Sequence, residues 1–310
     1  MWAAKLPGEG AALFDACQAM CQAMAQLGIA IDGGKDSLSM AARVGRDTVK
    51  APGTLVVSAY APCPDVRVLV TPDLKGPATS AKGALVLVDL STGKVRLGGT
   101  ALAQCFRQLG DAPPDLDDAA LLSRAFAATQ RLIGQGDVLA GHDVSDGGLV
   151  TCLLEMAFAG ISGLDVSLNY SDEDVRPLEL LFAEEVGWVL EVRPDRLEQT
   201  LGAFAAVQVP AHHVGWSTGL GVNSRVSVKV REQRVIDSEL LPLMRLWEET
   251  SFRLECRQTN TTCARREFDG LGHRRVPKYH LTFDPNTIPQ PAKKFTTGEQ
   301  LTCLISLALK

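Results

Sequence analysis

The chain has 310 residues, of which 46% are hydrophobic and 22% are charged, and its formal net charge is −5. This composition is that of an ordinary globular protein and excludes a chain that is disordered overall. The excess of acidic residues argues against a protein whose main task is to hold nucleic acid, because neutralising phosphates requires a basic surface. At about 150 residues per domain, the length predicts about two domains.

Apolar runs and cysteine usage both argue against a membrane or secreted protein. No apolar run approaches the ~20 residues of a membrane span, and the first residues lack the regions of a secretory signal. The eight cysteines lie mostly among apolar residues, which is typical of reduced thiols in the cytosol. We therefore expect a cytoplasmic protein that binds neither a membrane nor nucleic acid.

Hydrophobic periodicity predicts the elements in chain order. Apolar residues at helical spacing predict a helix over residues 9–27, which Gly28 ends. Further on, apolar runs between prolines and glycines predict strands at 54–61, 66–71, 84–90, 138–141, 186–192, 213–216 and 226–230. Helical periods predict helices at 101–109, 117–133, 149–159, 195–206 and 240–256. Because strands and helices alternate, the sequence predicts a layered α/β (α+β) fold.

Two changes in composition predict the domain boundaries. The stretch APCPDV (61–66) separates a first domain of about residues 1–62 from a second of about residues 63–257. Residues 258–300 are polar, rich in Thr, Arg and Pro, and show neither the helical nor the strand period. The final segment LTCLISLALK is apolar but far too short to span a bilayer. We expect residues 258–310 to form a weakly structured tail.

The loop GHDVSDGG (141–148) lies between a predicted buried strand and a predicted apolar helix. Such loops bind ligands in α/β proteins, and the free amides at a helix N-terminus favour anions. Asp143 and Asp146 add oxygen ligands suited to Mg²⁺, while Ser145 can donate a hydrogen bond to a phosphate oxygen. The pattern indicates a site for a metal–nucleotide phosphate. The alternative is ordinary helix capping, with Asp146 as the N-cap.

Two further glycine-rich loops are weaker candidates. In LGGT (97–100), Gly99 offers close backbone approach to a ligand, whereas the alternative is that Thr100 caps its helix. In DGGKDS (32–37), Lys35 places one ammonium beside a flexible backbone, as phosphate sites often do. The spacing is not that of a Walker A loop, and the alternative is a turn with a solvated Lys35.

Other polar and thiol groups give no site by pattern alone. Cys17 and Cys21 share the apolar face of the first helix, which favours packing over metal binding. Cysteines and histidines beyond residue 255 do not match structural zinc spacing. Glu184 and Glu185 follow an apolar run and are either solvated acids or include one that points inward. No nucleophile–base arrangement can be assigned, so we name no catalytic residue.

Taken together and in this order, the motifs resemble the second synthetase half of the phosphoribosylformylglycinamidine (FGAM) synthase family. The resemblance covers about residues 2–256. Its matching stretches are Pro7–Glu9 with the following helix, GKDSLSM (34–40), LGGTALAQCFRQLGD (97–111), HDVSDGGLV (142–150), EMAFAG (155–160) and LFAEEVGWVLEV (181–192). The resemblance implies an aminoimidazole ribonucleotide (AIR) synthetase-like fold, with a partial N-domain and a nearly complete C-domain.

The resemblance also implies a chemistry. Enzymes of this family consume ATP and glutamine and convert formylglycinamide ribonucleotide, a purine-pathway substrate, to its amidine. ATP phosphorylates the amide oxygen, and ammonia displaces the phosphate. By matching position, Asp143 is expected to bind Mg²⁺ and Ser145 to bind the nucleotide. Lys35, Asp36 and Gly99 lie in matched motifs and are expected as neighbours of the phosphates.

The chain also departs from the family pattern. It shows no counterpart of the first synthetase half, of the other family Mg²⁺ ligands or of the glutaminase domain. We therefore expect a truncated member with little or no turnover alone. One alternative is another AIR synthetase-like enzyme, against which GKDSLSM and LGGTALAQ argue. The other is a non-catalytic nucleotide-binding or regulatory module that docks on the full-length enzyme.

Overall fold

The computed structural model describes residues 1–63, 65–169 and 175–275, together with residues 280, 282, 284 and 287. Two compact units divide the chain, residues 1–275 and residues 276–310. In the first unit, the helices are α1 (Glu9–Leu27), α2 (Gly76–Ser80), α3 (Ala101–Cys105), α4 (Ala119–Gly134), α5 (Gly148–Gly160), α6 (Pro177–Phe182), α7 (Leu197–Ala205), α8 (Leu240–Gln258) and α9 (Thr261–Asp269). The strands are β1 (Ala41–Val44), β2 (Asp47–Lys50), β3 (Lys82–Asp89), β4 (Val138–Asp143), β5 (Ser162–Leu168), β6 (Gly187–Val192), β7 (Ala211–Leu220), β8 (Arg225–Val230) and β9 (Gln233–Glu239).

The N-terminal part of the chain consists of a helix, a hairpin and connecting segments with little buried surface. Helix α1 ends where Gly28 adopts the left-handed conformation (φ 70°), yet none of its residues is buried. Strands β1 and β2 pair only with each other within the described residues, and every residue of both is exposed. This region therefore leaves many of its apolar side chains exposed, although Ala3 is buried.

A larger sheet organises the rest of the first unit. Its strand order is β4-β6-β3-β7-β5-β8-β9. The neighbouring strands are antiparallel except β5 and β8, which run parallel. Strand β3 lies between β6 and β7, so it is paired along both sides.

Helices cover both faces of this sheet, because side chains alternate between the faces along each strand. On β3, Leu85 and Leu87 pack with α5, α6 and α8, whereas Val86 and Val88 pack with α4 and α7. The result is a layered arrangement with one apolar core on each face. The predicted α/β (α+β) layering is confirmed, although the sheet is mostly antiparallel.

Two of the predicted strands are wrong. Residues 54–61 and 66–71 form no strand, although both are rich in β-branched and apolar residues. A strand is stabilised by a neighbour that completes its hydrogen bonds, and no described strand pairs with either segment. The sequence analysis in turn missed the β1–β2 hairpin and the elements α2, β5, β9 and α9.

The prediction of a weakly structured tail is wrong for residues 261–273. Asn260 caps α9 by accepting hydrogen bonds from the amides of Thr262 and Cys263. Phe268 of α9 stacks on Phe252 of α8 with ring centroids 4.4 Å apart, and a 3₁₀ turn follows at Gly270–His273. The cap and the apolar contact with α8 offset the polar composition. Most of the remaining tail, including LTCLISLALK, lies outside the described residues.

None of the helices in the described part of the chain is both long enough and apolar enough to cross a membrane.

Candidate nucleotide-binding site

The loop 141–148 joins the end of β4 to the start of α5, as the sequence predicted. Strand β4 ends at Asp143 and α5 begins at Gly148, with Gly147 as the N-cap. The alternative that Asp146 caps the helix is therefore wrong. Gly147 and Gly148 both have positive φ (86° and 73°), a conformation that glycine adopts without steric cost. This turn leaves the side chains of Asp143, Ser145 and Asp146 exposed.

Asp143 belongs to a short chain of polar contacts. Its Oδ1 lies 3.0 Å from Nδ1 of His142, and Nε2 of His142 lies 2.8 Å from Oε2 of Glu155 on α5. These contacts hold the His142 ring between two carboxylates and orient the carboxylate of Asp143. The Asp143 side chain nevertheless remains 73% exposed, so it is free to meet a ligand from solvent.

Asp143 alone does not make a metal site. Among the described residues, no group of three His, Cys, Asp or Glu side chains is arranged to hold a metal ion. Mg²⁺ is commonly held by one or two carboxylates together with substrate phosphates and water. The chemistry of Asp143 fits such a set as a single oxygen donor, and phosphates or further protein ligands must complete it.

Backbone amides of the LGGT loop donate hydrogen bonds to carbonyls of the protein itself. Thr100 caps α3, accepting a hydrogen bond from the amide of Ala103, so the capping alternative for Thr100 is confirmed. The amide of Gly99 donates to the carbonyl of Leu109 at 2.7 Å, and that of Gly98 to Ala112 at 2.9 Å. Gly99 is exposed with open space beside its Cα. A ligand can approach this backbone closely, but not through the Gly99 amide.

Glu184 connects the LGGT loop to the 141–148 loop. Its Oε1 accepts hydrogen bonds from the amide of Ala101 at 2.8 Å and from the amide of Gly147 at 2.7 Å. One carboxylate oxygen thus holds the starts of α3 and α5 together. The amide of Gly148 donates to the carbonyl of Ser145. The expectation that free amides here would hold a phosphate is therefore wrong for Gly147 and Gly148.

Glu185 fixes the segment before the LGGT loop. Its carboxylate is buried and accepts hydrogen bonds from the Arg96 amide and from Nε and NH2 of the Arg96 guanidinium, at 2.6–2.8 Å. The pKa of Arg96 is raised above its usual range, mainly because its guanidinium donates hydrogen bonds to Glu185. The sequence analysis left open whether Glu184 and Glu185 are solvated or whether one points inward. In the structure, both carboxylates accept hydrogen bonds from other loops. The sequence signal for this role was the position of the pair directly before the buried strand β6.

The predicted phosphate neighbours Lys35 and Asp36 lie in an exposed segment without helix or strand. Lys35 is exposed, and its ammonium donates to Oγ of Ser37 in the same segment. Asp36 is exposed as well. The geometry is that of a surface turn, and the predicted roles of Lys35 and Asp36 remain predictions. Glu184 joins the loop of Asp143 and Ser145 to the loop of Gly99, whereas the hydrogen bond of Lys35 lies within its own segment.

Two domain descriptions match the chain. A FGAR-AT PurM_N-like domain matches residues 1–62, and the C-terminal domain of AIR synthase related proteins matches residues 84–226. With the layered sheet, the second match identifies the class of the domain at residues 84–226, which is similar to the C-terminal domain of AIR synthase related proteins.

Within that class, the particular likeness is to phosphoribosylformylglycinamidine synthases. The chain is 53% identical over 292 residues to the Homo sapiens protein and 50% identical over 291 residues to the Drosophila melanogaster protein. These matches cover 94% and 90% of this chain but only 22% and 21% of the relatives. The resemblance seen in the motifs is therefore confirmed, for a chain that spans about a fifth of the length of the curated relatives it matches.

A solved structure, Thermotoga maritima PurL complexed with FGAR, aligns with 57% of this chain and 30% of its own. The TM-score is 0.46 and the identity 16%, so this likeness adds nothing to the assignment.

Proposed function

We propose that this chain forms a nucleotide-binding part of an FGAM synthase, in the second synthetase half. That enzyme class is an ATP-dependent C–N ligase of purine biosynthesis that uses ATP and glutamine to convert formylglycinamide ribonucleotide to its amidine. The observation that carries the proposal is the loop 141–148, which exposes Asp143 and Ser145 beside the LGGT loop. The 50–53% identity to FGAM synthases supports it.

The proposed roles follow from the positions of the side chains. Asp143 supplies a carboxylate oxygen to Mg²⁺, and the Oγ of Ser145 donates to a phosphate oxygen. Gly99 allows close approach of the nucleotide, and Lys35 is a more distant phosphate neighbour. Bound Mg²⁺ supplies charge neutralisation of the phosphates. Glu184 holds the two loops at a fixed separation.

We further propose that the chain alone turns over little or no substrate and acts in the cytoplasm. Electrostatic stabilisation of a transferred phosphoryl group requires several converging donors and metal ligands. Asp143 and Ser145 alone do not make such a set, and glutamine hydrolysis has no assigned residue in this chain.

The test of this proposal is ADP release by the purified 310-residue chain. The mixture contains ATP, Mg²⁺, formylglycinamide ribonucleotide and an ammonium salt, since ammonia replaces the glutaminase reaction. We expect no turnover in a sample shown by circular dichroism to be folded. Turnover that depends on both substrates would contradict the proposal that the chain is inactive alone.

Nucleotide binding is tested separately, by isothermal titration calorimetry with ATP and Mg²⁺. Replacing Asp143 by Ala should abolish the Mg²⁺-dependent part of the affinity, because the variant lacks the metal's carboxylate ligand. Asp165→Ala, a matched change at an exposed residue of β5, should leave affinity unchanged. Equal affinity of the Asp143 variant and the unchanged chain would refute the metal assignment.

A second candidate function is a non-catalytic module that docks on full-length FGAM synthase. The observation in its favour is the exposure of apolar residues near the N-terminus, such as Phe14 (65%), Val56 (72%) and Tyr60 (89%). Such residues usually mark an interaction surface when they are clustered. Size-exclusion chromatography with and without the full-length enzyme distinguishes the candidates: co-elution favours the module, and separate elution favours an inert chain.

A further inference from the structure

We propose that the end of the large sheet holds a second small-molecule site, separate from the phosphate-binding loop, for a neutral aromatic heterocycle that carries an N–H donor. A cavity of about 380 Å³ opens where β3, β6 and β7 meet α5 and α6. Its volume lies within the ~300–1,000 Å³ that small-molecule sites occupy.

The floor of the cavity is a patch of the sheet. Leu87 and Asp89 alternate onto the same face of β3, and His212 of β7 pairs directly with Leu87. Leu149, Leu180 and other apolar side chains of the α5–α6 layer close the other side. The lining is thus mostly apolar with a few polar side chains, which is the usual composition of a ligand pocket.

Val144 separates the cavity from the loop that carries Asp143 and Ser145. Its side chain is half-buried against the apolar core and lines the cavity. Asp143 and Ser145, its two neighbours, are exposed, as expected where successive side chains of an extended backbone point to opposite sides. A ligand in the cavity would therefore contact neither of them.

The charges around the cavity determine the charge of the ligand. Glu185 is neutralised by Arg96, and the ammonium of Lys94 lies 2.5 Å from Oδ1 of Asp117. Asp89 accepts a hydrogen bond from the Ser91 amide but forms no ion pair with the described residues. Its charge disfavours an anion. Asp89 would attract a cation, but a cation would lose its hydration over the apolar side chains that make up the rest of the floor, so the ligand we propose is neutral.

His212 supplies the acceptor for the ligand. It lines the cavity beside Leu87, is exposed, and makes no hydrogen bond, ion pair or ring contact with the described residues. A neutral imidazole nitrogen accepts a hydrogen bond from an N–H group. An aromatic heterocycle with one N–H therefore meets both the apolar floor and this acceptor.

Indole is the probe, and benzofuran, which has the same shape without the N–H, is its matched control. Binding to the 310-residue chain is followed by two-dimensional NMR of the backbone amides, with shifts expected at Gly187 and Val214 of the lining. We expect indole to bind about threefold to tenfold more tightly than benzofuran, the effect of one hydrogen bond. We expect indole-3-acetate to bind at least tenfold more weakly than indole. Equal binding of the three compounds would overturn the proposal.

Three substitutions connect the binding to this cavity. His212→Ala should remove the difference between indole and benzofuran, and Asp89→Asn should relax the rejection of indole-3-acetate. Val95→Trp fills the cavity and should weaken indole at least tenfold, whereas Val66→Trp, at a residue 70% exposed and outside the lining, should not. If the Val95 variant does not fold, the exposed His212 variant decides. Unchanged discrimination in His212→Ala, or displacement of indole by ATP with Mg²⁺, would overturn the inference.

Discussion

Glu184 is the residue on which the geometry of the two glycine loops depends. Its Oε1 is the acceptor for two backbone amides that lie 83 and 37 residues away in the chain. Hydrogen bonds to a charged group contribute about 1.5–3 kcal/mol each. Glu184→Ala removes the acceptor of both bonds and should therefore lower the free energy of unfolding by about 3–6 kcal/mol, measured by urea denaturation.

A matched control for this prediction lies on α7. Glu198 is exposed, so Glu198→Ala should change the free energy of unfolding by no more than about 0.5 kcal/mol. A loss in Glu184→Ala as small as that of the control would show that the bridge contributes nothing to stability.

Cys152 gives a dependence of stability on pH. Burial, and secondly the negative charge of Asp143, raise the pKa of its thiol from 9.0 to about 12. Above pH 9 the thiol ionises in the unfolded chain while it stays protonated in the folded one. The folded state then binds more protons, so the free energy of unfolding falls as pH rises from 9 to 12.

The comparison of pH 8 with pH 10 measures this effect. Between them, the unchanged chain should lose about 1.4 kcal/mol more of its free energy of unfolding than Cys152→Ala, which has no thiol to ionise. Urea denaturation of both proteins at both pH values gives the difference. The same loss in the two proteins would contradict the raised pKa.

At the scale of residues, the sequence pattern identified Asp143 and Ser145, which face solvent, and left open the role of Glu184, which connects the loops. Asp143 and Ser145 were predicted from a local motif between a strand and a helix. Glu184 acts through partners distant in the chain, and no local pattern reports such a contact. The same limit applies to Asp146, whose capping role is taken by Gly147 because the backbone turns there with positive φ.

At the scale of elements, the helix α1 was predicted from its apolar period with the observed bounds, Glu9–Leu27. Periodicity is a property of the helix itself, so the sequence contains it. The strand β9 was missed because it lies at the sheet edge, where most of its side chains are polar or exposed. Residues 54–61 have the composition of a strand but lack a described strand to pair with.

The start of α5 permits a further prediction, because two elements approach it closely. A β-carbon on Gly148 would lie 2.7 Å from the backbone of Leu181 and Phe182, and φ there is +73°. Gly148→Ala should therefore lower the free energy of unfolding by more than about 2 kcal/mol, measured by thermal and urea unfolding.

Gly134, at the end of α4, is the matched control for that substitution. A β-carbon added to Gly134 would meet open space, and its φ is not positive. Gly134→Ala should therefore leave stability unchanged or raise it by up to about 1 kcal/mol. A Gly148 variant as stable as the Gly134 variant would be incompatible with the close packing of α5 on α6.

At the scale of the whole molecule, exposed apolar residues are concentrated before residue 73. Most of the large exposed apolar side chains among the described residues lie there, whereas the layers around the large sheet are well buried. We expect the chain to self-associate through this surface as its concentration rises.

Analytical ultracentrifugation over a range of concentrations measures that association. The double variant Phe14→Ser, Val56→Ser should shift the protein toward monomer. The variant Leu246→Ser, Leu254→Ser, which changes exposed residues of α8 (69% and 52%), should associate as the unchanged chain does. Association unaffected by the first variant would place the contact elsewhere.

The order of strands in the large sheet also bears on how the chain is made. Strand β3 is paired on one side by β6 and on the other by β7. Ala84 of β3 pairs with Val192 of β6 and with Trp216 of β7, both more than a hundred residues further along the chain. At the ~5–20 residues per second of protein synthesis, this apolar interior strand waits roughly ten seconds for its first neighbour. During that interval, both edges of β3 are unpaired and open to pairing with another molecule.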